Sequence, residues 1–214
     1  MTIFLFSFFF SKKVVIQDLG SFLQSTVEDS IVRHGFHLSA DGKAYVSDFL
    51  TRFVGIGQLF REYQWNGETE YGLKPISLQH FAALEEKGLA EKTVALQNLA
   101  EECLFLVGYC YDFIRKNGLG QVRFHSDMGV AAYGGLAALT GQQLFPEVAQ
   151  HFDSYSVVVG DLHIPELKND DRRLKRVLDC WMETRDQRYA LLIEGVLGST
   201  VVSSLGMREK EIIN

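Results

Sequence analysis

The chain has 214 residues, of which 47% are hydrophobic and 22% are charged, and its formal net charge is −6. This composition excludes a mainly disordered chain, because enough apolar residues are present to form a core. The 19 glycines follow no period and only three cysteines are present, so collagen-like proteins and disulfide scaffolds are excluded too. The acidic balance argues against extensive binding to polyanions, and we predict no nucleic-acid partner.

The first ten residues are rich in phenylalanine, and Lys12 and Lys13 follow them. A secretory signal carries its positive charge before the apolar segment, and a membrane span needs about 20 apolar residues, so neither description fits. Three interpretations of residues 1–15 stay open: an N-terminal strand or packing arm, a peripheral hydrophobic anchor, or a misassigned start codon. We treat residues 16–214 as a single helical domain. Membrane contact through residues 1–10 is an alternative that we do not favour.

Beyond residue 15, apolar residues recur at steps of three and four, which is the period of an amphipathic helix. The spacing predicts a first helix over 17–34, which ends at Gly35, and a second helix over 41–61. A shorter helix follows, with Ser77 as its cap.

Between these helices, the residues from Tyr63 to Tyr71 alternate with a period of two around Asn66-Gly67. An Asn-Gly pair within such an alternation is the strongest short-range signal for a β-hairpin. We therefore predict one small hairpin near 62–72.

The most regular apolar stripe lies in the middle of the chain and predicts one long central helix over 90–116. The stripe consists of Leu96, Leu99, Cys103, Leu106, Cys110 and Phe113. The next helix is predicted over 127–140, capped by Ser126 or Asp127, and is rich in glycine and alanine. Small residues of this kind allow a close approach of another helix, and we expect Gly134 or Gly135 to mark it.

Further helices are predicted around Phe145–Val159, after a cap at Asn169 or Asp170, and again after Arg185. The sequence therefore predicts an all-α protein, an irregular single-domain bundle around the 90–116 helix with one small hairpin.

Motifs for chemistry are mostly absent: the sequence contains no phosphate-binding GxxxxGK[ST] loop, no GxSxG, no HExxH and no Glu-x-x-His. We predict no metal site and no cofactor. One short run, His125-Ser126-Asp127, combines three chemically useful side chains at a predicted helix N-terminus, where anions are favoured. Together with Tyr133 and Tyr109, His125 and Asp127 form our candidate ligand-binding set.

Several short segments, taken together, form a recognisable pattern: Phe105–Tyr109, Asp127–Gly129, Ala132–Gly134, Leu136-Ala137, Leu144–Ala149, Phe152, the Phe49-Leu50-x-x-Phe53 motif and the Leu178-x-x-Trp181 motif. In this pattern the chain resembles a family of uncharacterised, predicted all-helical bacterial proteins of about 200 residues. The resemblance covers about residues 45–200, and Phe124-His125-Ser126 departs from the family pattern. It implies a helical fold and no known activity.

Two functional hypotheses follow. The first is a cytoplasmic interaction or regulatory module without catalytic activity, whose partner is a second copy of the chain or another protein, because aromatic and aliphatic residues are abundant. The alternative is a helical protein or enzyme that binds a small molecule or tetrapyrrole in a pocket beside the 127–140 helix.

Overall fold

A computed structural model of the chain describes residues 19–53, 60–65, 67–117 and 122–200. Over these residues the protein is an all-α bundle with one small two-stranded sheet, which confirms the predicted fold class. The predicted arm over residues 1–15 lies outside the described residues. None of the helices in the described ranges is long and apolar enough to cross a bilayer.

Two helices open the described chain, α1 (Leu19–His34) and α2 (Ala40–Phe53), and they pack against each other. Helix α1 ends as predicted, because Gly35 adopts a left-handed φ of 66° that terminates a helix without steric cost. Ser39 begins α2, since its Oγ accepts a hydrogen bond of 2.9 Å from the Gly42 N–H.

The predicted hairpin is present as β1 (Phe60–Trp65) and β2 (Glu68–Leu73), an antiparallel pair. Gly67 in the turn has a φ of 84°, as the Asn-Gly signal requires, whereas Asn66 lies outside the described residues. The predicted helix over 41–61 is too long. Phe60 continues its apolar spacing but pairs with Leu73 in the sheet instead.

Helix α3 (Ile76–Glu85) precedes the central helix, and its N-cap is Pro75 rather than the predicted Ser77. The central helix itself is divided into α4 (Leu89–Gly108) and α5 (Tyr111–Asn117), so the prediction of one continuous helix is wrong.

The break between α4 and α5 has a clear hydrogen-bonding cause. The Phe105 carbonyl accepts both the Tyr109 N–H at 2.8 Å and the Cys110 N–H at 3.2 Å, so the regular i to i−4 pattern slips by one residue. Later parts of the chain satisfy the carbonyls that this slip releases. Arg188 donates to the Val107 carbonyl at 2.7 Å, and His163 donates to the Tyr109 carbonyl at 2.8 Å.

Helix α6 (Val122–Thr140) packs along α4 more extensively than any other helix. It begins before Ser126 and Asp127, so neither residue is the predicted cap; both lie inside the helix. The apolar stripe over 145–159 is also divided, into α7 (Leu144–Gln150) and α8 (Phe152–Gly160).

The close approach between α6 and its neighbours is at Gly129 rather than at Gly134 or Gly135. A Cβ on Gly129 would lie 2.5 Å from Phe152 Cε2. A Cβ on Gly134 would meet nothing within 4 Å, and one on Gly135 would lie 3.2 Å from Leu96 Cδ1.

A one-turn 3-10 helix (Asp161–His163) continues from α8 into the short helix α9 (Ile164–Leu167). Helices α10 (Asp171–Thr184) and α11 (Gln187–Leu197) then pair with each other. Asp170 caps α10 as predicted, because its side chain accepts the backbone N–H groups of Arg172 and Arg173.

Most of the buried apolar side chains in the described residues form two clusters, and Ile164 and Leu167 on α9 belong to neither. The larger one joins α1 through α8 around α4, and the smaller one lies between α10, α11 and Tyr111. The smaller cluster consists of Trp181, Tyr189, Ala190 and Ile193 with their half-buried neighbours.

Candidate functional site

The four residues proposed from the sequence occupy different places. Tyr133 is fully buried, with its hydroxyl 3.0 Å from the Tyr45 hydroxyl in the larger core. Tyr109 lies at the helix break, where its ring stacks on His163 at a centroid distance of 4.1 Å. Tyr45 in turn donates to Glu101, which is about 12 Å along the helix axis from Tyr109. The two tyrosines therefore do not belong to one site.

The other two proposed residues lie near the start of α6. His125 is buried, with the Phe124 ring edge-on to it at 5.7 Å. Asp127 is on the surface, where its carboxylate lies 3.8 Å from the Arg123 guanidinium one turn earlier. An exposed ion pair of this kind contributes little to stability and has no enclosing pocket.

Metal and thiol chemistry find no support in the described parts of the chain. These residues contain no group of three or more histidine, cysteine, aspartate and glutamate side chains that could hold a metal ion. Burial raises the pKa of Cys110 to about 12 and also raises the pKa of Cys103. Both thiols are therefore protonated at neutral pH and are poor nucleophiles.

The first of two buried carboxylates with an arginine partner is Glu101 on α4. Arg52 holds it with both terminal nitrogens, each at 2.9 Å from a carboxylate oxygen. Tyr45 at 3.0 Å and Gln97 at 2.9 Å also donate to Oε1. The carboxylate is fully satisfied within the protein, and this cluster fastens α2 to α4.

The second buried carboxylate is Asp161, which is 2% exposed and lies in the 3-10 helix. Three side chains of α1 converge on its Oδ2 atom: Ser30 Oγ at 2.7 Å, Arg33 Nη1 at 2.7 Å and His34 Nε2 at 2.9 Å. Since a carboxylate only accepts hydrogen bonds, all three groups donate to it.

The local sequence explains how α1 presents these donors. Ser30, Arg33 and His34 stand at positions i, i+3 and i+4, which share one face of a helix. Val27 and Ile31 on the adjoining face are buried and hold α1 against the core. The polar face is thereby turned toward Asp161.

This arrangement is not a catalytic triad. In a triad the histidine lies between the serine and the carboxylate, so that it can take the serine proton. Here Ser30 donates directly to Asp161, and the Ser30 side chain is completely buried. This cluster therefore does not present Ser30 to a substrate as a nucleophile.

Asp161 forms part of the floor of a cleft of about 270 Å³ between α1 and α9. Its apolar wall is Ile164 with Pro165. The other lining residues are polar or charged: Thr26, Asp29, Arg33, Lys168 and Asn169.

Within the cleft, three hydrogen bonds determine which side-chain donors and acceptors are left to bind a ligand. Thr26 Oγ1 donates to the Phe22 carbonyl at 2.9 Å, and Asn169 Nδ2 donates to the Pro165 carbonyl at 2.6 Å. Arg33 uses Nη1 on Asp161, which leaves other guanidinium N–H groups for a ligand, and its side chain is 25% exposed.

The sequence analysis did not identify this site. A signal was present in α1, because three hydrogen-bonding side chains on one helical face next to buried apolar residues are unusual. Their partner, however, is 127 to 131 residues away along the chain. No local spacing connects Asp161 with α1.

Comparison with protein-family models, with curated proteins and with solved structures gave no match for this chain.

Proposed function

We propose that the protein binds a small polar molecule in the cleft between α1 and α9. The observation that carries this proposal is the convergence of three α1 side chains on one oxygen of the buried Asp161 at the floor of the cleft. Such a network fixes the Arg33 side chain before a ligand arrives, so little conformational entropy is lost on binding.

The proposal retains the small-molecule hypothesis but moves the site from α6 to α1 and α9. Ligand pockets for drug-sized molecules occupy about 300–1,000 Å³. A cleft of about 270 Å³ therefore fits a ligand of metabolite size rather than a tetrapyrrole. We also propose a cytoplasmic location, because the three free cysteines favour a reducing compartment.

A thermal-shift screen against several hundred small polar metabolites tests the binding function. Thr26 lines the cleft, so the Thr26→Trp side chain fills it, whereas Ser25→Trp adds the same bulk at an exposed position outside the lining. We expect some compounds to raise the melting temperature of the wild type and of Ser25→Trp but not of Thr26→Trp.

If Thr26→Trp does not fold, Asn169→Trp blocks the opposite wall from an exposed position. A screen without any stabilising compound contradicts the proposal. So do compounds that stabilise the blocked variants as strongly as the wild type.

A second candidate function, the interaction module, rests on a different surface. Four large apolar side chains near the end of α3 and the start of α4 are each at least 50% exposed. They are Phe81, Leu84, Leu89 and Val94. Exposed apolar residues close together in the chain favour contact with another protein.

Light scattering after size exclusion tests the homo-oligomer form of this candidate. We expect the wild type to elute as a dimer or larger assembly and the Phe81→Ser/Leu89→Ser variant to elute as a monomer. A monomeric wild type at about 100 µM contradicts self-association, since a specific dimer has micromolar or tighter affinity.

A further inference from the structure

The cleft is lined by equal numbers of positive and negative side chains. Asp29 and Asp161 contribute two negative charges, and Arg33 and Lys168 contribute two positive charges. Asp161 and Arg33 neutralise each other, because their charged atoms are 2.7 Å apart. Asp29 on α1 and Lys168 just after α9 form no ion pair within the described residues. Both line the cleft, Asp29 from α1 and Lys168 from the residue that follows α9.

From this charge arrangement, and resting on the binding function proposed above, we infer that the ligand is a small zwitterion with one carboxylate and one ammonium group. An α-amino acid is the simplest member of this class. Its carboxylate pairs with Lys168 and the free N–H groups of Arg33, and its ammonium group pairs with Asp29.

Ligands with a single charge satisfy this cleft less well. A simple carboxylate gains the attraction of Lys168 and Arg33 but is repelled by Asp29. A simple amine gains the attraction of Asp29 but is repelled by Lys168. Only a molecule with both charges pairs with Asp29 as well as with Lys168 and Arg33, so the cleft discriminates through repulsion as well as attraction.

The uncharged part of the lining suits the rest of such a molecule. Ile164 and Pro165 provide an apolar wall that an aliphatic side chain can cover. The Thr26 hydroxyl and the Asn169 side-chain oxygen remain as acceptors for a second ammonium hydrogen. The volume of about 270 Å³ admits one small amino acid with a few water molecules.

The twenty standard L-amino acids are the first probes, screened by thermal shift at millimolar concentration. L-Valine is then compared by titration calorimetry with its two halves, isovalerate, which lacks the ammonium group, and isobutylamine, which lacks the carboxylate. We expect at least one amino acid to stabilise the protein and L-valine to bind at least about tenfold more tightly than either half, an advantage of about 1.4 kcal/mol.

Matched variants test the two walls. Lys168→Gln and Asp29→Asn change exposed side chains, so both proteins should melt like the wild type without ligand while losing about tenfold in amino-acid affinity. Glu28→Gln and Lys175→Gln remove exposed charges outside the cleft and should bind as the wild type does.

The outcomes separate this inference from the binding function. If isovalerate or isobutylamine binds as tightly as L-valine, the ligand is not a zwitterion, although the cleft still binds. If no amino acid binds but other metabolites are blocked by Thr26→Trp, the ligand class is wrong and the function stands. If no compound of any class binds, both proposals fail.

Discussion

Two buried carboxylates in this protein are held in different ways. Glu101, in the core between α2 and α4, is bound by Arg52 through both terminal nitrogens. Asp161, at the cleft between α1 and α9, is bound by Arg33 through a single nitrogen. Both carboxylates are at most 2% exposed, so burial alone does not distinguish them.

The difference lies in what each arginine has left. A guanidinium group bound bidentately to a carboxylate has its strongest donor pair occupied, and it holds together the two helices that carry the pair. One that uses a single nitrogen keeps donors for another partner. Arg33 lines a cleft, whereas Arg52 binds Glu101 with both terminal nitrogens. We therefore propose that the Asp161 cluster is a binding site and that the Glu101 cluster is structural.

The largest effect that tests this comparison is expected from Arg52→Met. The substitution leaves the Glu101 carboxylate buried with only Tyr45 and Gln97 as donors. Because the buried carboxylate loses two charge-assisted hydrogen bonds, we expect a cost of about 3 kcal/mol. The loss in the free energy of unfolding is measured by urea denaturation, with one m-value fitted to the wild type and the variant together.

Arg33→Met is the matched control. It should cost less, about 1–2 kcal/mol, because Asp161 loses one hydrogen bond where Glu101 loses two, but it should abolish ligand binding. If Arg33→Met and Arg52→Met lose equal stability, the distinction between a structural cluster at Glu101 and a binding cluster at Asp161 is wrong.

The second expected effect concerns Gly129, in the core region. A methyl group there would lie 2.5 Å from Phe152 Cε2 and 3.0 Å from Cys103 Cβ, and both neighbours are buried in the core. Gly129→Ala should therefore destabilise the protein by about 1–3 kcal/mol through overpacking. A variant with an unchanged urea midpoint would show that this interface is looser than the structure indicates.

The corresponding glycine in the cleft region is Gly195 on α11. A Cβ there would contact the end of the Ile164 side chain and would lie 3.4 Å from Arg33 Nη1. Ile164 lines the cleft and can rotate into it, so we expect Gly195→Ala to cost less than about 1 kcal/mol, below the usual range for overpacking.

The same rotation should narrow the cleft. Calorimetry with the best ligand should therefore show weaker binding to Gly195→Ala than to the wild type. Unchanged binding would mean that Ile164 moves elsewhere.

The smallest expected effect is a gain in stability. Gly134 lies on the exposed side of α6, and a Cβ there meets nothing within 4 Å. Gly134→Ala should stabilise the protein by about 0.4–1 kcal/mol, because alanine restricts the unfolded chain and favours the helix. A decrease in the thermal midpoint would place an unrecognised contact at this position.

Sequence periodicity predicted those parts of the fold that depend on neighbouring residues. The end of α1 at Gly35, the hairpin around Gly67 and the cap of α10 at Asp170 are all local signals, and all three are present. The break between α4 and α5 could not be predicted in this way. The apolar stripe continues through Cys110, and the side chains that bind the released carbonyls, His163 and Arg188, come more than 50 residues later.

The candidate site shows the same limit more strongly. His125 and Asp127 attracted attention because they are close in sequence, yet one is buried in α6 and the other is on its surface. Ser30, Arg33 and Asp161 meet only because α1 packs beside the end of α8. Charged groups brought together by tertiary packing leave no spacing in the sequence that identifies them.

The separate apolar cluster of α10 and α11 gives the protein an internal spectroscopic reporter. The chain has two tryptophans, and one of them, Trp181, is buried in this cluster with the Arg185 guanidinium 4.1 Å above its ring. In a Trp65→Phe background, fluorescence therefore follows α10 and α11 alone, while far-ultraviolet circular dichroism follows all the helices. If the two signals change at different urea concentrations, the smaller cluster unfolds as its own cooperative unit and a single two-state free energy does not describe the chain.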